Sequence, residues 1–193
     1  MGIRKDQKEK RRQEILIASL DLFSSKGYAE TKITDIAAAA GMSAGLLFHY
    51  FESKEALYSE LLKIGIEYVS EKTKNLIKEP LDYFYCAAET LIKLMRENAE
   101  AAKIYLLIRR AVKSDNVPES IRDYIGKMAK EIFELNHGKI VLGQKQGSIK
   151  EGDSKVLTAV LFSCFDGIAE SRLKNLDMPL PQAGWIVDII KKH

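Results

Sequence analysis

The sequence is poor in cysteine. Cys86 and Cys164 stand far apart, each inside an apolar run. That spacing excludes a zinc knuckle or a disulfide-dense scaffold and predicts reduced core thiols. Also missing is any apolar run of about 18 residues, so no membrane span is expected. The charged start of the chain is not followed by the apolar stretch of a signal peptide. The expectation is a cytoplasmic protein with no membrane partner. P-loop, HExxH and GxSxG signatures are absent as well, and His49, His137 and His193 are widely separated. No catalytic residue, metal site or cofactor is therefore assigned. His137, next to Gly138, is expected to be a cation at a helix end.

Neither sign of charge dominates: 30 Lys and Arg face 27 Asp and Glu, a net of +3. A charge that small does not by itself argue for nucleic acid. Its distribution says more. Residues 1–12 hold Arg4, Lys5, Lys8, Lys10, Arg11 and Arg12 against Asp6 and Glu9. Alone, such an arm reads as a solubilising tail. Ahead of a DNA-binding motif, Lys8, Lys10, Arg11 and Arg12 read as contacts to phosphate or an adjacent minor groove.

Such a motif follows, in residues 31–57. Ile33, Ile36, Ala37 and Ala40 recur on one helical face. Gly41 permits a sharp exit, Met42 is an apolar plug, and Ser43 can cap a second short helix running to about Tyr50. Two helices joined by a short turn containing Gly form a helix-turn-helix, whose second helix is sized for a major groove. Thr31, Thr34, Ser43, His49 and Tyr50 can donate to phosphate or base edges, with Lys26 and Lys32 beside them. Ser53 can cap the next helix, with Glu55 in its first turn.

This stretch resembles the amino-terminal domain of TetR-family transcriptional regulators. Thr31, Ile33, Ile36, Ala37, Ala40, Gly41, Ser43, Gly45, Leu47, Phe48, Tyr50, Phe51, Lys54, Glu55 and Leu57 match the family pattern in order and spacing. One departure is Phe48, where the family usually has Tyr, so no hydroxyl is present there to reach a phosphate. The resemblance implies a homodimer that binds double-stranded operator DNA. It also implies a carboxyl-terminal domain that takes a small molecule, with the last two long helices forming the dimer interface.

The rest of the chain reads as helix. One helix is expected over about 6–25, ended by Gly27, and Phe23, Ile36, Leu47 and Phe51 should form the core of a three-helix unit. A long helix over 53–78 carries Leu57, Leu61, Ile64, Tyr68 and Leu76 along a stripe and is limited by Pro80. Residues 81–112 form one or two helices, with a break at Asn98. Pro118 opens a helix that ends at His137-Gly138, and 139–152 reads as loop with a frayed turn. Ser154 caps a helix to about 173, and 184–191 makes a final amphipathic one. The sum is an all-α chain of nine or ten helices: residues 1–52 as the helix-turn-helix domain, 53–193 as a larger helical domain for ligand binding and dimerisation.

Within that second domain, Tyr68, Tyr83, Tyr85, Tyr105 and Met128 are the candidate lining of a site for a small hydrophobic or amphipathic effector. The dimer interface carried over from the resemblance comprises Leu157, Leu161, Cys164, Phe165, Ile168, Trp185 and Ile189. On the recognition helix, Ser43, Ala44 and Leu46 are expected to face base edges, with Gly45 permitting close approach. Leu46 turned inward beside Leu47 is the competing placement. Lys32, Thr31, Thr34, His49, Tyr50 and Lys54 position the phosphates. None of the reading residues is Arg, Asn or Gln, so bidentate base pairing is not expected here. The function this implies is a transcriptional repressor released by its effector. The alternative is a helical carrier or enzyme with a vestigial DNA-binding module.

Overall fold

The computed structural model describes residues 2–73, 79–175 and 177–193. Nine helices occupy them: α1 (Gly2–Glu30), α2 (Ile33–Ala39), α3 (Ala44–Phe48), α4 (Lys54–Thr73), α5 (Pro80–Glu97), α6 (Ala99–Ala111), α7 (Glu119–Lys145), α8 (Ser154–Lys174) and α9 (Ala183–Val187). Most boundaries follow from local chemistry. α1 breaks at Gly27, where φ is 83°. Pro80 starts α5, where its missing N–H is no loss. Asn98 ends α5 and begins α6, its side-chain oxygen accepting from the Glu100 N–H at 2.8 Å. The expected reach of α4 to residue 78, including Leu76, lies outside the described residues.

Three expectations need correction. α7 does not stop at Gly138 but continues to Lys145. Apolar burial of Ile140, which is wholly enclosed, outweighs the roughly 1 kcal/mol that a helical glycine costs. Gly143 is needed there, because a Cβ would lie 2.5 Å from the Ile149 side chain. His137 is accordingly mid-helix, its Nε2 2.9 Å from Ser154 Oγ. The cap of α8 is Asp153, which accepts from the N–H groups of Lys155 and Val156 at 2.8 and 3.2 Å. Finally, α9 spans only five residues, and the chain then joins Ile149 through a bridge at Lys191.

One core cluster runs across the boundary expected at residue 52. Ile15, Leu20, Phe23, Ile36, Leu47 and Phe51 pack with Leu57, Tyr58, Leu61 and Leu62 of α4. The same cluster takes in Leu107 of α6 and Ile121 and Ile125 of α7. The buried stripe of α4 thus runs through Leu57, Tyr58, Leu61, Leu62 and Ile66, while Ile64 and Tyr68 are exposed. A second cluster joins α5, α8 and α9 with Ile140 and Ile149.

Candidate nucleic-acid interface

Gly41 adopts φ 66°, which reverses the chain after α2. Its N–H donates to Ala38 O at 3.1 Å, and the Met42 N–H donates to Ala37 O at 2.9 Å. Ser43 Oγ then accepts from the Leu46 N–H at 3.2 Å, fixing the start of α3. Leu47 is fully enclosed by the core, while Leu46 and Phe48 are 44% and 50% exposed. The inward placement of Leu46 is therefore excluded. The outer face of this five-residue helix is Gly45, Leu46 and Phe48, with His49 just past its end and Lys32, Thr34 and Ser43 exposed around it. Ala44 and Tyr50 are half-buried. Phe48 has no hydroxyl to mark it in sequence as a DNA contact, yet its exposure makes it part of this face.

Several cations and donors expected at the DNA serve the fold instead. The Thr31 side chain is fully buried, and its hydroxyl donates to Gly27 O at 2.7 Å and Leu22 O at 3.3 Å. The terminal carbonyls of α1 need such donors, and they capture it. Lys54 Nζ donates to Tyr28 O at 2.9 Å and Thr31 O at 3.1 Å, and lies 4.3 Å from the Tyr28 ring centroid. Arg12 makes a two-pronged ion pair with Glu60 of α4 and sits 4.7 Å from the Phe51 ring centroid. The Glu60 hydrogen bond raises the Arg12 pKa above its ordinary value despite opposing burial. Arg12 is a strap between α1 and α4. Beneath, Tyr58 packs against Phe23 and Tyr28, and burial pushes its phenol up to about 12.

The amino-terminal arm is the first part of α1, in line with the helix expected from about residue 6. Lys8, Lys10 and Arg11 stand exposed on α1, with Arg11 paired to Glu14 at 2.7 Å. They remain able to meet a polyanion, since an exposed pair of this kind is weak.

Behind this unit, α4, α5 and α6 border a partly open pocket of about 260 Å³. Its wall includes Ile64, Gly65, Leu91, Met95 and Ile104, with Tyr68 and Tyr105 among the polar groups. The other three expected lining residues lie elsewhere. Tyr83 is buried beside Phe84, Tyr85 is exposed next to Gly184, and Met128 packs on the shared core. Side-chain type alone does not separate them, because each sits on an amphipathic helix.

Sequence reading missed the polar cluster beside the cavity. Tyr105 Oη donates to Asp166 Oδ1 at 2.9 Å, and Arg109 grips both oxygens at 2.8 and 3.0 Å. Burial pushes the Asp166 carboxyl up, but the hydrogen bonds from Arg109 and Tyr105 outweigh it and hold it below its ordinary value. Burial also raises the Tyr105 phenol. The next residue, Arg110, donates to Ser24 O of α1 at 3.0 Å and to Glu170 of α8 at 2.5 Å.

The expected dimer residues divide as well. Leu157, Leu161 and Phe165 are buried within the single chain, where they pack against α5 and α9. Little of their surface is left exposed for a partner. Cys164, Ile168 and Ile189 are half-buried, whereas Trp185 is 64% exposed. Because α9 is short, the last two long helices are α7 and α8. Their outward residues include Leu135, Leu142, Val156, Ala159, Ser163 and Gly167. Among the described residues no group of three or more His, Cys, Asp or Glu could hold a metal. No described helix is long and apolar enough to cross a membrane.

Residues 15–61 match the sequence model for bacterial regulatory proteins of the tetR family. The chain is 29% identical over 143 residues to the HTH-type transcriptional repressor KstR2 of Rhodococcus jostii (strain RHA1), covering 74% of this chain and 70% of that protein. It is 24% identical over 170 residues to the fatty acid metabolism regulator protein of Bacillus subtilis (strain 168), covering 88% and 87%. Among solved structures it is similar to AibR in complex with isovaleryl coenzyme A and operator DNA. That match has a TM-score of 0.71 and 23% identity, over 92% of this chain and 94% of the other.

Proposed function

The chain belongs to the TetR family of bacterial transcriptional regulators, and from that premise we propose that it is a homodimeric repressor. It places α3 of each protomer in the major groove of a palindromic operator. The chain is a regulator, not an enzyme: the relatives that it matches over most of their length are regulators. The observation that carries the DNA reading is the two-faced α3, with Leu47 locked in the core and Gly45, Leu46 and Phe48, followed by His49, turned out. A rigid helix with a small residue at Gly45 can approach base edges closely, and Leu46 and Phe48 offer apolar contact to thymine methyl groups. Ser43, Thr34, Lys32 and His49 meet phosphate, as do Lys8, Lys10 and Arg11 of α1. Half-sites one helical turn apart, about 34 to 36 Å, suit a two-fold dimer.

The partner surface is the outward stripe of α7 and α8 with Trp185. An effector enters the cavity between α4, α5 and α6 and lowers operator affinity by binding better to the form whose recognition helices are mis-spaced. An apolar or amphipathic molecule fits its lining. The fatty acid metabolism regulator among the curated relatives, and the isovaleryl coenzyme A bound in the similar AibR structure, favour this kind of control. The test is selection of duplex fragments from a random pool by the purified chain. Recovery of one palindromic sequence is expected; enrichment of none would overturn the reading. Titrating the recovered operator with isovaleryl coenzyme A and with fatty acyl thioesters then asks whether occupancy weakens binding.

A further inference from the structure

α6 carries four charged side chains, and three of them are answered by another helix. Lys103 pairs with Asp21 of α1, Arg109 grips Asp166 of α8, and Arg110 reaches Glu170 of α8. The fourth, Glu100, has no such partner. Among the described residues no group donates to its carboxylate; only its backbone N–H is engaged, by the Asn98 side-chain oxygen. Glu100 is half-buried and lies in the wall of the pocket between α4, α5 and α6. A half-buried carboxylate without a counter-charge is unfavourable, and this one borders a mostly apolar space.

The rest of that wall decides what can answer the charge. Its body is apolar, made by Leu91, Leu94, Met95 and Ile104. Tyr68, 47% exposed, stands at the rim and supplies an aromatic ring, which attracts cations. Tyr105 has committed its one hydroxyl hydrogen to Asp166, so toward a ligand it is an acceptor. No described residue of the wall carries a positive charge. The positive end of α6 does not supply one either, because the Asn98 side-chain oxygen and Glu100 in the first turn already meet it. A carboxylate or phosphate entering this space would face Glu100 with no cation to offset it. An ammonium group would find a carboxylate, an aromatic ring and an acceptor.

We propose that this pocket selects amphiphilic amines. A short apolar chain lies against Leu91, Met95 and Ile104, and its ammonium group sits at the rim on Glu100 and Tyr68. At about 260 Å³ the pocket is smaller than most ligand sites, which suits a chain of about eight carbons. The inference rests on the reading of this pocket as the effector site and narrows it to one sign of head-group charge.

Octylamine, octanol and octanoate share one chain and differ in head group, so together they isolate the charge. Each is titrated into the full chain at pH 7 by calorimetry, without DNA. Octylamine, cationic at that pH, is expected to bind about tenfold more tightly than octanol, and octanoate more weakly than octanol. Glu100→Gln should weaken octylamine binding about fivefold and leave octanol unchanged. Tyr68→Leu keeps an apolar surface without the ring, and should weaken octylamine alone. Glu100→Lys should reverse the order in favour of octanoate. A merely structural Glu100 would shift melting in these variants without changing the ratio between head groups. Ala101→Phe fills the pocket and should abolish binding of all three. If it leaves octylamine binding intact, the amine sits elsewhere and the inference falls. Equal binding of octylamine and octanoate, an unchanged ratio in Glu100→Gln, or binding of none of the three overturns it as well. None of these readouts involves an operator. If the head-group order holds while octylamine leaves operator binding unaltered, it is effector control that fails, and the selectivity of the pocket stands.

Discussion

Tyr105 of α6 and Asp166 of α8 are joined by a hydrogen bond of 2.9 Å, and the tyrosine ring that makes it also forms part of the cavity wall. The same carboxylate carries a bidentate Arg109, whose guanidinium carbon lies 5.1 Å from the Phe162 ring centroid. The helix beside the cavity and the helix proposed to face a partner are thus held together at one acidic group.

Asp166 gives the first prediction. Its folded-state pKa lies below the ordinary 3.8, so the stability it contributes is complete above that pH and is lost as pH falls through the folded value. Asp166→Asn should lower stability at pH 7 by about 1.5 to 3 kcal/mol. The gap between native and variant should narrow below about pH 4. Urea unfolding at pH 7 and pH 3 measures both; a gap that stays constant between them would contradict the assignment.

Arg12 and its neighbours on α1 should separate by salt dependence. Arg12→Ala breaks the pair with Glu60 and should cost about 1 kcal/mol of stability, leaving the salt slope of DNA binding unchanged. Replacing Lys8, Lys10 and Arg11 by Ala should leave melting alone and reduce that slope by about 0.9 for each phosphate no longer neutralised. Binding isotherms at several salt concentrations, with melting curves alongside, check the two outcomes. A normal slope in the triple variant would make these cations spectators.

Leu46→Ala should alter relative affinities among half-site variants without affecting the fold, because the side chain is exposed. Exchanging uracil for the contacted thymine in the operator should cost the native chain about 0.8 kcal/mol, roughly fourfold, and the variant nothing. If every ratio survives Leu46→Ala, the same exchange against Phe48→Ala identifies which of the two exposed apolar side chains meets the methyl.

Charged substitutions test the partner surface. Trp185→Glu and Leu135→Glu should give monomers at micromolar concentration by sedimentation, and lose operator binding with the dimer. Leu161→Ala should instead lower stability by about 2 to 5 kcal/mol and leave the dimer intact, since Leu161 is enclosed within one chain. A dimer that survives both charged variants would move the interface elsewhere.

Elements whose signals are local were legible in sequence. Gly41, Ser43, Asn98 and Pro80 mark ends of helices by what their own backbone or side chain can do, and each does so in the structure. The all-α architecture followed from them. What could not be read was the partner of a side chain. Arg12 and Lys54 look like DNA cations until Glu60 and the carbonyls of α1 are brought to them by the fold. Leu157, Leu161 and Phe165 are apolar at helical spacing whether they face α5 or a second copy. The length of α7 escapes sequence reading for a related reason: Gly138 and Gly143 punctuate by propensity, but Ile140 and Ile149 override them through burial.

The shared core has an evolutionary consequence. Ile15, Phe23 and Leu47 close against Leu61 of α4, Leu107 of α6 and Ile121 of α7 in one cluster. Recombination that joined the first 52 residues to a foreign body would leave both halves of that cluster mismatched, with a penalty of several kcal/mol from voids and clashes. A new operator preference is therefore reached at lower cost in stability by changing the outward residues of α3, Gly45, Leu46 and Phe48, than by exchanging the whole head.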